Sequence, residues 1–541
     1  MSIRSRRFDL HLVVPLAFGL LLSSVAGAQV WEVGNRLLGA GTSVPAGSNG
    51  FGLAAVAADF DDDGDDDLVV GAPYATSLFG PTTLLEAGHA EVFLGSPTRT
   101  LISSANFLGS WSESHLGSAL AAGDFDGDGR PELAMGSPGD DMGNVESCGA
   151  VWIRGYETGG WTFVTSLGQD LAGVPGVAEI GDEFGSSLAI GDFDADGFAD
   201  LAVGVPFENW GGTDTGAVVV FYGSISGLTG TGSQMFGAGQ DGVLGTAGDG
   251  DNFGWALAAG DFDADGFADL AIGAPFRDVA GAASAGQVHL LYGSAAGLSA
   301  VGDQLLDEDD FPGNDPGSGE NFGFALAAGN FDDPGVDLCA VLPTDACAAD
   351  LAIGVPDQGL VPPGGGFAAG AGMVLVAYGT LSAGIDPEDS EVFSQNNLAG
   401  TPEQNDHLGR TLAAASLNGR WSGYRAADLV IGVPNEGLDE SSEGYLHLVF
   451  GGFDRLGSYP GQTQFQRDGF ASAPGEADTY FGSALAIGDL DGDERGDLAV
   501  GIPNKTMGGH AGAGAVQVLY SALFADGLES GLDTNWSSSV P

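Results

Sequence analysis

Residues 184–206 read FGSSLAIGDFDADGFADLAVGVP. The stretch opens on Phe184-Gly185 and runs through a small-residue segment. It then turns through Asp192, Asp194, Asp196 and Asp200 and ends in an apolar run closed by Gly204-Val205-Pro206. This grammar occurs seven times. The openings are Phe51, Leu116, Phe184, Phe253, Phe322, Leu408 and Phe481, each followed by glycine. The closings are Gly-x-Pro, ending at Pro73, Pro138, Pro206, Pro275, Pro356, Pro434 and Pro503. Opening and closing lie 22 positions apart in copies one, two, three, four and seven, 26 in copy six and 34 in copy five. One spacing held in five copies marks an internal repeat.

Each copy reads as strands. A small-residue strand such as Ser118–Gly123 precedes the acidic turn, and a short apolar strand such as Asp200–Gly204 follows it. A third strand, rich in β-branched and aromatic residues, comes next: Gly216–Tyr222, Gly286–Tyr292, Gly372–Tyr378, Gly444–Phe450 and Gly514–Tyr520. A weaker fourth strand, as around Asp303–Leu306, leads to the next opening. Alternation of period two and the near absence of helix-period blocks make the chain all-β. Four short antiparallel strands at a period of about 65–85 residues describe a propeller blade. One blade cannot bury both faces, so the reading is a seven-bladed β-propeller over residues 29–520, with a tail at 521–541. Ala/Gly-rich first strands suit the crowded central channel. Trp31–Leu38 resembles a fourth strand lacking its first three, so an N-terminal strand is expected to complete the last blade. Glu529–Trp536 is the competing candidate.

The turn between strands one and two carries the chemistry. Copy one places Asp59, Asp61, Asp63, Gly64 and Asp67 at positions 1, 3, 5, 6 and 9. Copy two has Asp124, Asp126, Asp128, Gly129 and Glu132; copy three Asp192, Asp194, Asp196, Gly197 and Asp200; copy four Asp261, Asp263, Asp265, Gly266 and Asp269. Copy seven has Asp489, Asp491, Asp493 and Asp497, with Glu494 in the glycine's place, which restricts the turn. Ca²⁺ takes six to eight hard oxygens at about 2.3–2.6 Å. Carboxylates at this spacing converge when the chain wraps an ion, and glycine at position 6 permits the wrap. Position 7 would add its backbone carbonyl, from Asp65, Arg130, Phe198, Phe267 and Arg495. A solvated Asx-turn would explain one such loop, but not four full matches in register. An EF-hand needs a bidentate Glu at position 12 and flanking helices. Position 12 here is apolar (Val70, Met135, Val203, Ile272 and Val500) and enters a strand. Copy five begins Asn330-x-Asp332, meets Pro334 and carries an insert before Asp350, which leaves a site there open. Copy six reads Ser416-x-Asn418-x-Arg420, with a fixed cation where a metal would sit. The expectation is about four or five calcium sites and none in copy six.

These residues resemble a known family. The Phe-Gly opening, the Asp-x-Asp-x-Asp-Gly-x-x-Asp loop and the Gly-Ala-Pro closing are similar to the FG-GAP repeats of integrin α-subunit propellers. The resemblance covers about residues 30–520. It implies calcium on the blade loops at one face, and a scaffold used for adhesion or ligand binding outside cells. It implies no particular ligand. The integrin leg, membrane span and cytoplasmic tail have no counterpart in the sequence. Arg495-Gly496-Asp497 spells an adhesion tripeptide, but Asp497 is position 9 of the seventh loop and leads into a strand, so it is set aside.

Composition narrows the remaining classes. Arg4, Arg6 and Arg7, an apolar run from about Leu12 to Leu22, and Ala26-Gly27-Ala28 read as a signal peptide over 1–28. The apolar run is too short for a membrane span, so a secreted or surface location is expected. The net charge is −59 with a single lysine, Lys505, which argues against nucleic acid or anionic membrane as partner. With 43% hydrophobic residues in patterned blocks, the chain is nonetheless folded. Cys339 and Cys347 could staple the copy-five insert in an oxidising compartment; Cys148 reads as a small buried hydrophobe. His89, His289 and His447 fall in or beside third strands and read as packing residues. No Gly-x-Ser-x-Gly elbow, His-Glu-x-x-His helix or phosphate loop is present, so catalysis has no motif behind it. Three functional classes follow. The leading one is an adhesion or binding module for an extracellular protein or glycan, which Trp210, Trp255 and Trp421 would serve if exposed. The others are a calcium-dependent structural surface or matrix protein, and a secreted hydrolase or lyase at the propeller mouth.

Overall fold

The computed structural model describes residues 36–39 and 50–520, apart from 80–81, 144, 333–347, 399, 418–425, 438–441, 453–454, 457–462, 467–477 and 508. The expected leader, Cys339 and Cys347, Asn418 and Arg420, Trp421 and the tail with Glu529–Trp536 lie outside them.

Seven four-stranded antiparallel sheets form the chain. Blade three shows the plan: Ser187–Gly191, Asp200–Val205, Ala217–Phe221 and Gln234–Phe236, adjacent in that order. The second strands are buried along their whole length, as in Asp200–Val205 and Asp269–Ala274. Both faces of each sheet pack against neighbouring blades, so the apolar pattern there is continuous rather than alternating. The first strands are half-buried and contact one another from blade to blade, closing a ring around the axis. Among the described residues the only helical element is one 3-10 turn, Glu308–Asp310, and no helix is long and apolar enough to cross a membrane.

The repeat's glycines are explained by how blades meet. A Cβ on Gly204, in the closing of blade three, would collide with the carbonyl oxygen of Gly254, in the opening of blade four. The same pair recurs from Gly71 with Gly117 to Gly501 with Gly52. The opening residue of each blade, Phe in five and Leu in two, is then seated: Phe253 is fully buried and bridges in parallel to Gly216, just before the third strand of blade three. Burying such a ring stabilises by roughly 1.5–3 kcal/mol.

The ring closes as the first of the two candidates required. Arg36–Leu38 is the outer strand of blade seven, antiparallel to Ala515–Leu519, with Arg36 opposite Val518 and Leu38 opposite Val516. The last blade therefore joins chain segments from both ends of the sequence.

Candidate metal centres

The acidic loops all lie at one end of the blades, each between the first and second strand. Their wrap is visible in the backbone. The carboxylate at position 1 accepts the N–H groups of positions 5 and 6: Asp192 from Asp196 (3.1 Å) and Gly197 (3.0 Å), Asp261 from Asp265 (3.0 Å) and Gly266 (3.0 Å). Asp59, Asp124 and Asp489 do the same. The position-6 glycines have φ near +95°, where a side chain strains the turn; Glu494 sits at +66°.

The wrap gathers three carboxylates per loop with oxygens all within 4.8 Å of one another. The trios are Asp59, Asp61 and Asp63; Asp124, Asp126 and Glu132; Asp192, Asp194 and Asp200; Asp261, Asp263 and Asp265; and Asp489, Asp491 and Asp497. The fourth acidic residue of each loop lies outside its trio. Asp67 and Asp269 are tied by backbone N–H groups, Asp128 and Asp196 accept from position 7, and Asp493 lies 3.9 Å from Arg99.

Position 9 has a second task that sequence spacing alone does not reveal. Asp200 is fully buried; Oδ2 accepts from Phe193 at 2.7 Å and Oδ1 from Gly223 at 2.8 Å. It thereby pins position 2 of its loop to the residue just beyond the third strand. Asp350 and Asp428 keep both bonds in copies five and six, where the loop pattern is broken. The Asp at position 9 is thus retained for architecture as well as for any metal. Position 2 is its apolar counterpart: Phe60, Phe125, Phe193, Phe262, Phe331, Leu417 and Leu490 are all buried. Their regular place between positions 1 and 3 was available in the sequence as a signal.

Electrostatics favours a cation. Burial pushes the carboxyls of Asp67, Glu132 and Asp200 up to about 7 and Asp269 up to about 8. Burial, with the neighbouring acids, also raises Asp61, Asp126, Asp194 and Asp263. The buried oxygens Asp61 Oδ1 and Asp491 Oδ1 have no hydrogen-bond donor. Hard, converging, under-satisfied oxygens are the donor set that Ca²⁺ takes, so the residues fit the ion. The seventh loop differs: Arg99 of blade one sits 2.6 Å from Asp491 and supplies part of the positive charge. Among the described residues, copies five and six assemble no trio.

The loops are also linked in a belt. The N–H at position 8 donates to the position-1 carbonyl of the preceding blade: Ala199 to Asp124 (2.9 Å), Ala268 to Asp192 (3.0 Å), Ala349 to Asp261 (2.7 Å), Ala427 to Asn330 (2.6 Å) and Asp66 to Asp489 (2.7 Å). Copy two has Pro131 there, which carries no N–H.

The remaining sequence expectations sort as follows. Asp497 is fully buried and accepts from Leu490 N–H at 3.0 Å, so the Arg-Gly-Asp tripeptide is loop architecture. His89, His289 and His447 are buried, and Cys148 is a buried free thiol. Trp210 and Trp255 are half-buried rather than exposed, Trp255 packing on Phe276 and Phe324. Both are packing residues: Trp255 is held by these ring contacts and Trp210 packs on the core between blades two and three.

The FG-GAP repeat family model matches residues 51–83, 116–153, 184–221, 253–291 and 481–519, the copies with complete acidic loops. Integrin alpha-5 of Xenopus laevis is 32% identical over 235 residues, 41% of this chain and 20% of that protein. Integrin alpha pat-2 of Caenorhabditis briggsae is 35% identical over 234 residues, 41% of this chain and 18% of that protein. The phosphatidylinositol-glycan-specific phospholipase D of Rattus norvegicus is 31% identical over 268 residues, 47% of this chain and 31% of that protein. The match spans less than a third of each relative's length. With its seven blades and repeated openings and closings, this chain is a β-propeller that carries FG-GAP repeats in five of its blades, similar to those of integrin α-subunits.

Proposed function

We propose that this chain is a secreted, calcium-binding β-propeller that acts outside the cytoplasm as an adhesion or ligand-binding module, with an extracellular protein as partner and a glycan as the second class to test. The observation that carries the reading is the set of five loops in register, each gathering three carboxylates around a wrapped turn. The ions would be held by positions 1, 3, 5 and 9 of copies one, two, three, four and seven. There they would neutralise charge that the fold otherwise buries and stiffen the belt of linked loops. The integrin relatives support an extracellular protein partner, and both integrins and the phospholipase D support a location outside the cell.

The test is calcium stoichiometry and melting temperature on residues 29–541, with and without chelator. Four or five ions assignable to the loops and a calcium-dependent rise in melting temperature are expected. Asp194→Ala should remove one ion and lower the melt, since its loop partners are left repelling. Loops that bind nothing in native protein, with an unchanged melt, would reduce them to solvated turns. A secreted hydrolase is the second reading, favoured by the phospholipase D match. Turnover on a glycolipid or polysaccharide panel, abolished by a carboxylate substitution outside the loops, would promote it.

A further inference from the structure

At the end of the blades opposite the acidic loops, the turn between strands two and three meets the connection into the next Phe-Gly opening. Between blades five and six this junction buries Gln395, Asp406 and Glu436, which are 4%, 2% and 5% exposed. They lie two residues beyond an outer strand, two before an opening and two after a closing proline. Gln395 Nε2 donates to Glu436 Oε2, and Gln395 also reaches Asp406. The two carboxyls are themselves within hydrogen-bonding reach of one another. Gln395 Oε1 is buried without a donor.

The same three offsets between blades two and three hold Gln169, Asp182 and Glu208. Gln169 donates to Glu208, and both Gln169 Oε1 and Asp182 Oδ1 are buried without a donor. Between blades four and five the amide and a carboxylate exchange places: Glu308, Glu320 and Gln358, each with a buried oxygen that has no donor. In blade four the molecule supplies its own answer. Asp251 stands at the opening offset, but the closing offset holds Arg277, with Nη1 2.7 Å from Asp251 Oδ2.

Two buried carboxylates in contact, as Asp406 with Glu436 and Glu308 with Glu320, need either a proton or a cation between them, and Asp182 and Glu208 repel across their junction. A shared proton would satisfy the carboxyl pair and still leave the amide oxygen without a donor. A cation takes lone pairs from both carboxylates and, with the Gln395 or Gln169 amide turned over so that Oε1 replaces Nε2 against the glutamate, from the amide as well, and Arg277 shows that a positive charge suits this position. We propose that the three junctions each hold one hard divalent cation of the calcium class, bound by one amide and two carboxylates and independent of the acidic loops.

The test counts calcium bound to the full chain from residue 29 at pH 7.5 by mass spectrometry after gel filtration, beside Glu436→Gln, Glu208→Arg and Asp194→Ala. The native count should exceed five. Glu436→Gln and Glu208→Arg should each lose one ion, the latter reproducing the blade-four pairing and so keeping the fold. Asp194→Ala should lose a different one. A native count below three overturns the proposal, whether or not the variants fold, and so does a count of five or fewer when Asp194→Ala loses an ion. So does an unchanged count in folded Glu436→Gln and Glu208→Arg, which would leave a shared proton or a buried water. Loss in these variants but not in Asp194→Ala would sustain the junction sites while removing the loop reading.

Discussion

A single aspartate shows how two demands meet in one side chain. At position 9 the carboxylate closes the loop, holding position 2 on one side and the exit of the third strand on the other. Asp428, fully buried in copy six, makes both bonds, to Leu417 N–H at 2.9 Å and Gly451 N–H at 3.0 Å. An amide in its place accepts one N–H but presents a donor to the other. Asp428→Asn is therefore expected to destabilise by about 1–3 kcal/mol, the cost of leaving a buried polar group unpaired, with no change in bound calcium. Thermal melting and metal counting on the same preparation check this; a lost ion would show that copy six does bind. The spacing alone made position 9 look like a ligand. Its architectural role, kept by Asp350 and Asp428 in copies five and six, emerges only in the fold, because the partner N–H groups lie up to 29 residues away.

The acidic loop is the element in which charge is stored. Asp67, Glu132 and Asp200 at about 7 and Asp269 at about 8 hold their protons far more tightly in the fold than in the unfolded chain, because burial disfavours the charged form. The folded state thus binds more protons than the unfolded one between about pH 4 and pH 8. Stability of the metal-free protein falls as pH rises through that window. Calcium should reverse the trend, since it binds the deprotonated loops. In chelator the melting temperature should drop from pH 5 to pH 8, and the gap between calcium and chelator should widen over the same range. A metal-free melt that rises with pH would contradict the buried-carboxylate account. The wrap and the trio were legible in the spacing of Asp, Asp, Asp and Gly. The belt joining neighbouring loops, and Arg99 reaching into the seventh from blade one, were not, because these contacts join different copies.

For the whole molecule the weak point is the seam. Blade seven takes three strands from the end of the chain and its outer strand, Arg36–Leu38, from the beginning. A chain starting at residue 40 leaves the edge of Ala515–Leu519 unpaired, and an exposed apolar edge invites pairing with another copy. This truncation should lower the melting temperature and produce oligomers in light scattering. A monodisperse, equally stable truncation would mean that another segment, such as Glu529–Trp536, can close the ring.

The number of blades, their four-strand plan and the register of the acidic loops followed from local signals: alternation, punctuating Gly and Pro, and a carboxylate spacing that repeats. Each depends on residues within a few positions of one another, where covalent geometry and strand period hold. Which glycines touch, which terminus closes the ring, where Trp210 and Trp255 point, and how the buried amide–carboxylate junctions assemble depend on blades meeting one another. Those contacts join residues tens to hundreds of positions apart, and only the closed ring brings them together.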